Sequence, residues 1–166
     1  FGDDIHRKYT DPLIEEDLRT FLAAQYKDKK LTASEMDGIV ANLRNTGGQN
    51  DYYAQQNTFL LYRDGYDFTY SDGRDNPFRL QYIDFEHPDH NIFRCVNQFV
   101  MEQGRENRRP DILLFVNGIP VCIVELKNPT KQNATIRDAH TQICTRYMRD
   151  IPALLKYCAL AVISDG

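Results

Sequence analysis

Apolar residues recur along this chain in two rhythms. From Pro12, the residues Leu13, Ile14, Leu18, Phe21 and Leu22 follow helical spacing. Asp11 is placed to cap that helix, and Glu15, Glu16 and Asp17 suit its positive end. Thr32 or Ser34 can cap a second helix carrying Met36, Ile39, Val40 and Leu43, which Gly47-Gly48 would stop. A third helix is predicted over 51–62, ended by Asp64-Gly65. Residues 66–77 are polar and carry turn signals, Ser71-Asp72-Gly73 and Asn76-Pro77. Beyond them the rhythm changes. Residues 78–85 alternate as a half-buried strand does, and 91–101 form a second strand-like run before a polar loop over 102–109. Residues 112–116 and 119–124 are continuously apolar and only Asn117-Gly118 separates them, the strongest short hairpin signal. Unbroken apolar character predicts strands covered on both faces, so this hairpin belongs at the centre of its sheet. Pro129 would end the second strand. A helix over about 134–148 and a last strand over about 158–163 complete an α/β layer with a crossover helix.

Length and composition narrow the class. The 166 residues suit a single domain of ordinary size, and 42% hydrophobic content with 10 Tyr and 9 Phe supports a core rather than disorder. No apolar run approaches the ~18 residues that span a bilayer, and no signal-peptide pattern opens the chain, so membrane partners are excluded and a cytoplasmic protein is expected. The chain opens at Phe1 rather than Met and ends just after an apolar run, as a piece of a longer protein would. Net charge is −4, which argues against a simple basic nucleic-acid binder. That charge is unevenly spread. Residues 1–90 hold 17 acidic and 10 basic side chains (net −7), and residues 91–166 hold 7 acidic and 10 basic (net +3). A polyanion would favour the second part. The four cysteines, Cys95, Cys122, Cys144 and Cys158, form no C-x-x-C pair and read as buried free thiols of a reducing compartment.

The chemistry concentrates on the central hairpin. Asp111 opens its first strand, and Glu125 and Lys127 end its second. Charge is costly to bury unless it is paired or binds metal. Glu125 and Lys127, two apart, share a strand face. A plain two-residue turn would pair 111 with 124 and set Asp111 and Glu125 on opposite faces. Bringing them to one face requires a bulge or a three-residue loop, expected near 117–119 or near Glu125. Two carboxylates and an ammonium at one point suit a hard divalent ion and metal-assisted phosphodiester hydrolysis. They equally suit an Asp–Lys–Glu ion-pair network. A second group, Asp84, Glu86, His87, Asp89 and His90 around Pro88, reads either as a solvated turn or as metal ligands, the turn being the simpler reading. His140 reads as a surface histidine or as a base on the crossover helix.

Pro110-Asp111, thirteen residues, then Glu125-Leu126-Lys127 resembles the PD-(D/E)xK nuclease motif. Its surroundings are more specific. Asn97-Gln98-Phe99, the run from Arg109-Pro110-Asp111 through Ile119-Pro120, and Ile123-Val124-Glu125-Leu126-Lys127-Asn128-Pro129 closely resemble the N-terminal nuclease domain of the type I restriction enzyme R subunit. The resemblance implies an α/β, restriction-endonuclease-like fold, a central mixed sheet flanked by helices, with an additional acidic N-terminal helical region. It implies one nuclease domain over 1–166, with 1–65 a mainly helical scaffold, 78–166 the nuclease core, and ATP-dependent motor domains after 166. Asp111, Glu125 and the Leu126 carbonyl would hold Mg²⁺, replaceable by Mn²⁺, and Lys127 would be the catalytic lysine. The family's Q-x-x-x-Y motif is matched by Gln142 and Tyr147, with four residues between them instead of three. Arg108 and Arg109 flank Asp111 and could contact phosphates or pair with nearby acids. A supporting glutamate of the family would precede Phe1, since Glu15 and Glu16 fall on a later helix. The implied partners are double-stranded DNA and the methyltransferase and specificity subunits of a restriction-modification complex. No G-x-x-x-x-G-K-[ST] loop occurs, so ATP would act only through the motor domains. Two other readings stay open: a PD-(D/E)xK nuclease outside type I systems, and a degenerate nuclease-fold module that docks a motor or binds DNA without cutting it.

Overall fold

The computed structural model describes residues 5–126 and 136–164. Its first part is helical: α1 (Glu15–Gln25), α2 (Ala33–Asn45) and α3 (Asp51–Asp64). The Thr32 side chain accepts the Glu35 N–H while Glu35 returns to the Thr32 N–H, a complete capping box. Asn50 caps α3, and Gly65 takes over its C-terminus with φ 62°. α1 starts at Glu15, three residues later than the Pro12 start its pattern suggests. The reason is tertiary. The Ile14 N–H donates to the carbonyl of Gly118 at 2.8 Å, which pins the helix entry to a distant turn. Asp11 takes the Leu13 N–H and the Arg44 guanidinium instead of capping.

Two short strands, β1 (Tyr66–Phe68) and β2 (Phe78–Leu80), pair antiparallel, so strand structure ends well before residue 85. Among the described residues the main sheet has four strands in the order β3 (Phe93–Asn97), β6 (Ile112–Val116), β7 (Ile119–Leu126), β8 (Leu160–Ser164). The first two pairings are antiparallel and the last is parallel, which makes the sheet mixed. The polar stretch expected as a loop is a hairpin, β4 (Met101–Gln103) with β5 (Glu106–Arg108), turned at Gly104 with φ 63°. Asn117 (φ 51°) and Gly118 (φ 74°) both adopt left-handed backbone, as a two-residue type I′ hairpin requires. A Cβ on Gly118 would stand 2.1 Å from the Ile14 carbonyl oxygen, so only glycine allows α1 to seat on this turn.

Between β7 and β8 the described chain forms one rod: α4 (Ile136–Thr141), a π turn (Gln142–Tyr147) and α5 (Met148–Asp150). A short α6 (Pro152–Leu155) follows. These helices cover one sheet face, where Leu113, Phe115 and Ile123 pack with Ile143, Tyr147, Ile151 and Leu154. A second core joins α1, α2 and the β1–β2 pair around Leu18, Phe21, Ile39, Leu43 and Tyr82. The other sheet face exposes Phe93, Leu114, Leu160 and Val162. The hairpin is therefore central in strand order, but its second face is only partly covered, with Cys122 buried there and Val116 packed against the second core. All four cysteines are free, yet only Cys122 and Cys158 are buried; the pleat carries Cys95 outward, and Cys144 sits on the outer side of the π turn. Among the described residues, no helix is long and apolar enough to cross a membrane.

Candidate functional site

Register decides which side chains meet. Near the turn, Val116 pairs with Ile119 and Phe115 with Pro120. Beyond a slip between Leu114 and Phe115, Leu114 pairs with Cys122 and Ile112 with Val124. Val121 is the extra residue. The irregularity therefore lies between the two places that parity suggested, and its effect is the one parity demands. Extending the register by one residue sets Asp111 across from Glu125, both on the helix-covered face with Leu113 and Ile123.

Asp111 is half-buried and tightly held. Its Oδ2 accepts the Leu126 N–H at 2.8 Å, and its Oδ1 accepts the Gln98 side-chain amide at 3.2 Å. Gln98 also donates its backbone N–H to the Asp111 carbonyl at 2.9 Å from a left-handed conformation, φ 54°. A non-glycine residue there carries strain of about 1–3 kcal/mol. Gln98 was not singled out as a site residue from the sequence. Its only signal was membership of the Asn97-Gln98-Phe99 segment.

Glu125 is buried, with only 3% of its surface exposed. The Gln142 amide donates to its Oε1, and the Tyr147 hydroxyl donates to its Oε2 at 3.1 Å. Gln142 also reaches the Tyr147 oxygen at 2.6 Å, closing a three-residue network. Burial, with Glu125 nearby, pushes the Tyr147 hydroxyl pKa well up, so it stays a neutral donor.

The π turn explains how Gln142 and Tyr147 share one target. Residues five apart on an α-helix diverge by about 140° around the axis. A π turn, with i→i+5 bonds, brings them back to one face. The bond is present: the Met148 N–H donates to the Ile143 carbonyl, five residues back. The extra residue between Gln142 and Tyr147 is thus absorbed as a bulge.

Other candidates lie elsewhere. Arg108 binds the buried Asp150 and Glu106. Arg109 is exposed. Glu15 bridges to Arg19 and Arg44 on the α1–α2 face. His140 lies beside Cys144, Nε2 to Sγ 3.5 Å. Lys127 and the start of the expected crossover helix at 134 fall outside the described residues.

A family model described as Type I restriction enzyme R protein N terminus matches residues 2–166, nearly the whole chain. The chain belongs to this family. Named relatives of this R-protein N-terminal chain agree. The HindI type I restriction enzyme endonuclease subunit of Haemophilus influenzae is 32% identical over 146 residues, 87% of this chain and 14% of that subunit. A Methanocaldococcus jannaschii protein, provisionally named the MjaIXP type I restriction enzyme endonuclease subunit, is 46% identical over 90 residues, 52% of this chain and 8% of that protein. The EcoprrI subunit of Escherichia coli is 34% identical over 105 residues, 61% of this chain and 31% of that sequence. The R-protein N-terminal chain thus spans a small share of the length of these relatives.

Proposed function

We propose that this R-protein N-terminal chain is the PD-(D/E)xK endonuclease domain of a type I restriction subunit, hydrolysing DNA phosphodiester bonds with Mg²⁺, or Mn²⁺ in its place. The observation that carries the reading is the convergence of Asp111 and Glu125 on one face at the open end of the hairpin. A register slip is needed to bring them there. Carboxylate oxygens form the donor set of a hard divalent ion, and each carboxylate is oriented by side-chain amides or hydroxyls, as ligating carboxylates are. In an extended residue the N–H and C=O share a side. Because the Leu126 N–H donates to Asp111, its carbonyl would be offered on the same side as a third oxygen. A bound Mg²⁺ would supply charge for the phosphate and an activated water.

The chain's own residues then have distinct tasks. Asp111 and Glu125 hold the ion, Gln98, Gln142 and Tyr147 fix their carboxylates, and Lys127 orients the attacking water or offsets charge on the phosphate. Double-stranded DNA is the substrate, bound through its backbone, with sequence choice left to a specificity subunit that acts with a methyltransferase subunit in the cytoplasm. ATP acts through motor domains elsewhere in the R subunit. The helices over 15–64 serve as an acidic scaffold for this core.

The test is a calorimetric Mn²⁺ titration beside Asp111→Ala and Glu125→Ala, with circular dichroism confirming the fold. About one ion per chain is expected, lost in both variants. In the assembled complex the same substitutions should reduce DNA cleavage to background. Unchanged Mn²⁺ binding in both variants would refute the site.

A further inference from the structure

We propose that Asp84, His87 and His90 form a second metal site, of a different chemical class from the Asp111–Glu125 pair: a site for a borderline divalent cation such as Zn²⁺. One oxygen of Asp84, Oδ2, lies 3.1 Å from Nδ1 of His90 and 3.8 Å from Nδ1 of His87. One ligand atom from each of the three residues lies within 4.8 Å of the others.

Local structure creates this convergence. Pro88–His90 is a 3₁₀ turn, in which residues three apart eclipse. His87 and His90 therefore project together, with ring centroids 5.0 Å apart and planes at 17°. Asp84 does not need them as partners. Its carboxylate already accepts the N–H groups of Glu86 and His87 and the amide of Gln25. The turn is also fixed from outside. Asn91 accepts the Asp84 N–H and donates to the Asp84 carbonyl. The fully buried Asn117 donates to Asn91 and accepts the Ile92 N–H.

The spacing fits one ion. Ligands at about 2.0–2.1 Å in tetrahedral array stand about 3.3–3.5 Å apart, and the two measured separations bracket that range. Two imidazoles and a carboxylate select Zn²⁺, Co²⁺ or Ni²⁺ over Mg²⁺. A fourth position would face solvent, since His87 and His90 are 62% and 52% exposed. The loop is tied to the turn end of the central hairpin through Asn91 and Asn117, and that turn stands about 17–20 Å along the strand from Asp111. The site's occupant would brace the 84–91 loop against α1 through Gln25, leaving the carboxylate pair untouched.

The test is a Co²⁺ titration, followed by its visible absorption, of the tag-free chain in excess Mg²⁺, repeated by Zn²⁺ competition. About one equivalent should bind in tetrahedral coordination. Affinity should fall at least about tenfold in His87→Ala and in His90→Ala. It should hold in Asp111→Ala and in Cys144→Ser, which opens the separate His140–Cys144 pair. Both imidazoles are half-exposed, so these variants keep the fold, and circular dichroism confirms it. Failure of the parent to bind, binding indifferent to both histidine variants, or binding lost with Asp111→Ala or Cys144→Ser would each overturn the proposal.

Discussion

Glu35 shows how much a single side chain can couple here. It closes the capping box at Thr32 and also bridges to Arg74, Oε2 to Nη2 2.6 Å, tying α2 to the 66–77 segment. Hydrogen bonds from Arg74 first, then from Thr32, lower its pKa from 4.5 to about 2. A carboxyl whose folded pKa lies below its unfolded value stabilises the fold above the unfolded pKa. That stabilisation is lost as pH falls toward the folded pKa. The relevant window is therefore pH 4.5 down to about 2. Glu35→Gln separates the two roles, because Gln can still complete a capping box but carries no charge for Arg74. Thermal melts of parent and Glu35→Gln at pH 7, 4.5 and 2.5 should show the variant less stable at pH 7. They should also show it losing less stability on acidification. Equal acid sensitivity would mean that Glu35 does not carry this linkage.

At the level of elements, the π turn makes the sharpest forecast. Deleting the exposed Cys144 leaves three residues between Gln142 and the tyrosine, the spacing that an α-helix brings to one face. The rod should straighten to α-helix and keep both side chains on Glu125. A double-mutant comparison checks this: removing the tyrosine hydroxyl should cost about 1.5–3 kcal/mol in the parent and a similar amount in the deletion background. A silent Tyr→Phe change after deletion would show that the network had come apart. The bulge was legible only as the altered spacing of Gln142 and Tyr147, since a π turn has no residue signature of its own. The hairpin was legible because Asn117-Gly118 declares its turn in local chemistry. The slip at Val121 was legible only as a necessity of parity, not as a place. β4 and β5 were hidden because Glu106, Asn107 and Arg108 carry no apolar alternation. The start of α1 was hidden because its decisive bond comes from Gly118, more than a hundred residues away in sequence. The carboxylate pair was readable from spacing, whereas Gln98 was not, because its role depends on a left-handed backbone that its residue type does not suggest.

Across the whole molecule, the basic excess of residues 91–166 is smaller than a count of charges suggests. Arg94 is tied to Asp17 of α1, and Arg108 and Arg149 converge on the buried Asp150. Arg149 first, then Arg108, holds the Asp150 carboxyl below its ordinary range, so that group is an anion that keeps these guanidiniums close. Arg105, Arg137 and Arg146 are instead exposed, and Arg137 and Arg146 ride on the rod that supplies Gln142 and Tyr147. If the chain holds duplex DNA beside Asp111 and Glu125, these exposed arginines, together with Arg109 next to Asp111, are the ones that contact phosphates. Each phosphate neutralised adds about 0.9 to the slope of log affinity against log salt. Anisotropy titrations on one duplex at several salt concentrations should therefore show Arg137→Ala and Arg146→Ala each flattening that slope by about 1. Arg108→Ala should leave the slope nearly intact and lower the melting temperature, because it strips a partner from Asp150 at the junction of β5 and α5. A flattened slope for Arg108→Ala with an unchanged melt would reverse the assignment, making Arg108 a phosphate contact and its ion pair with Asp150 incidental.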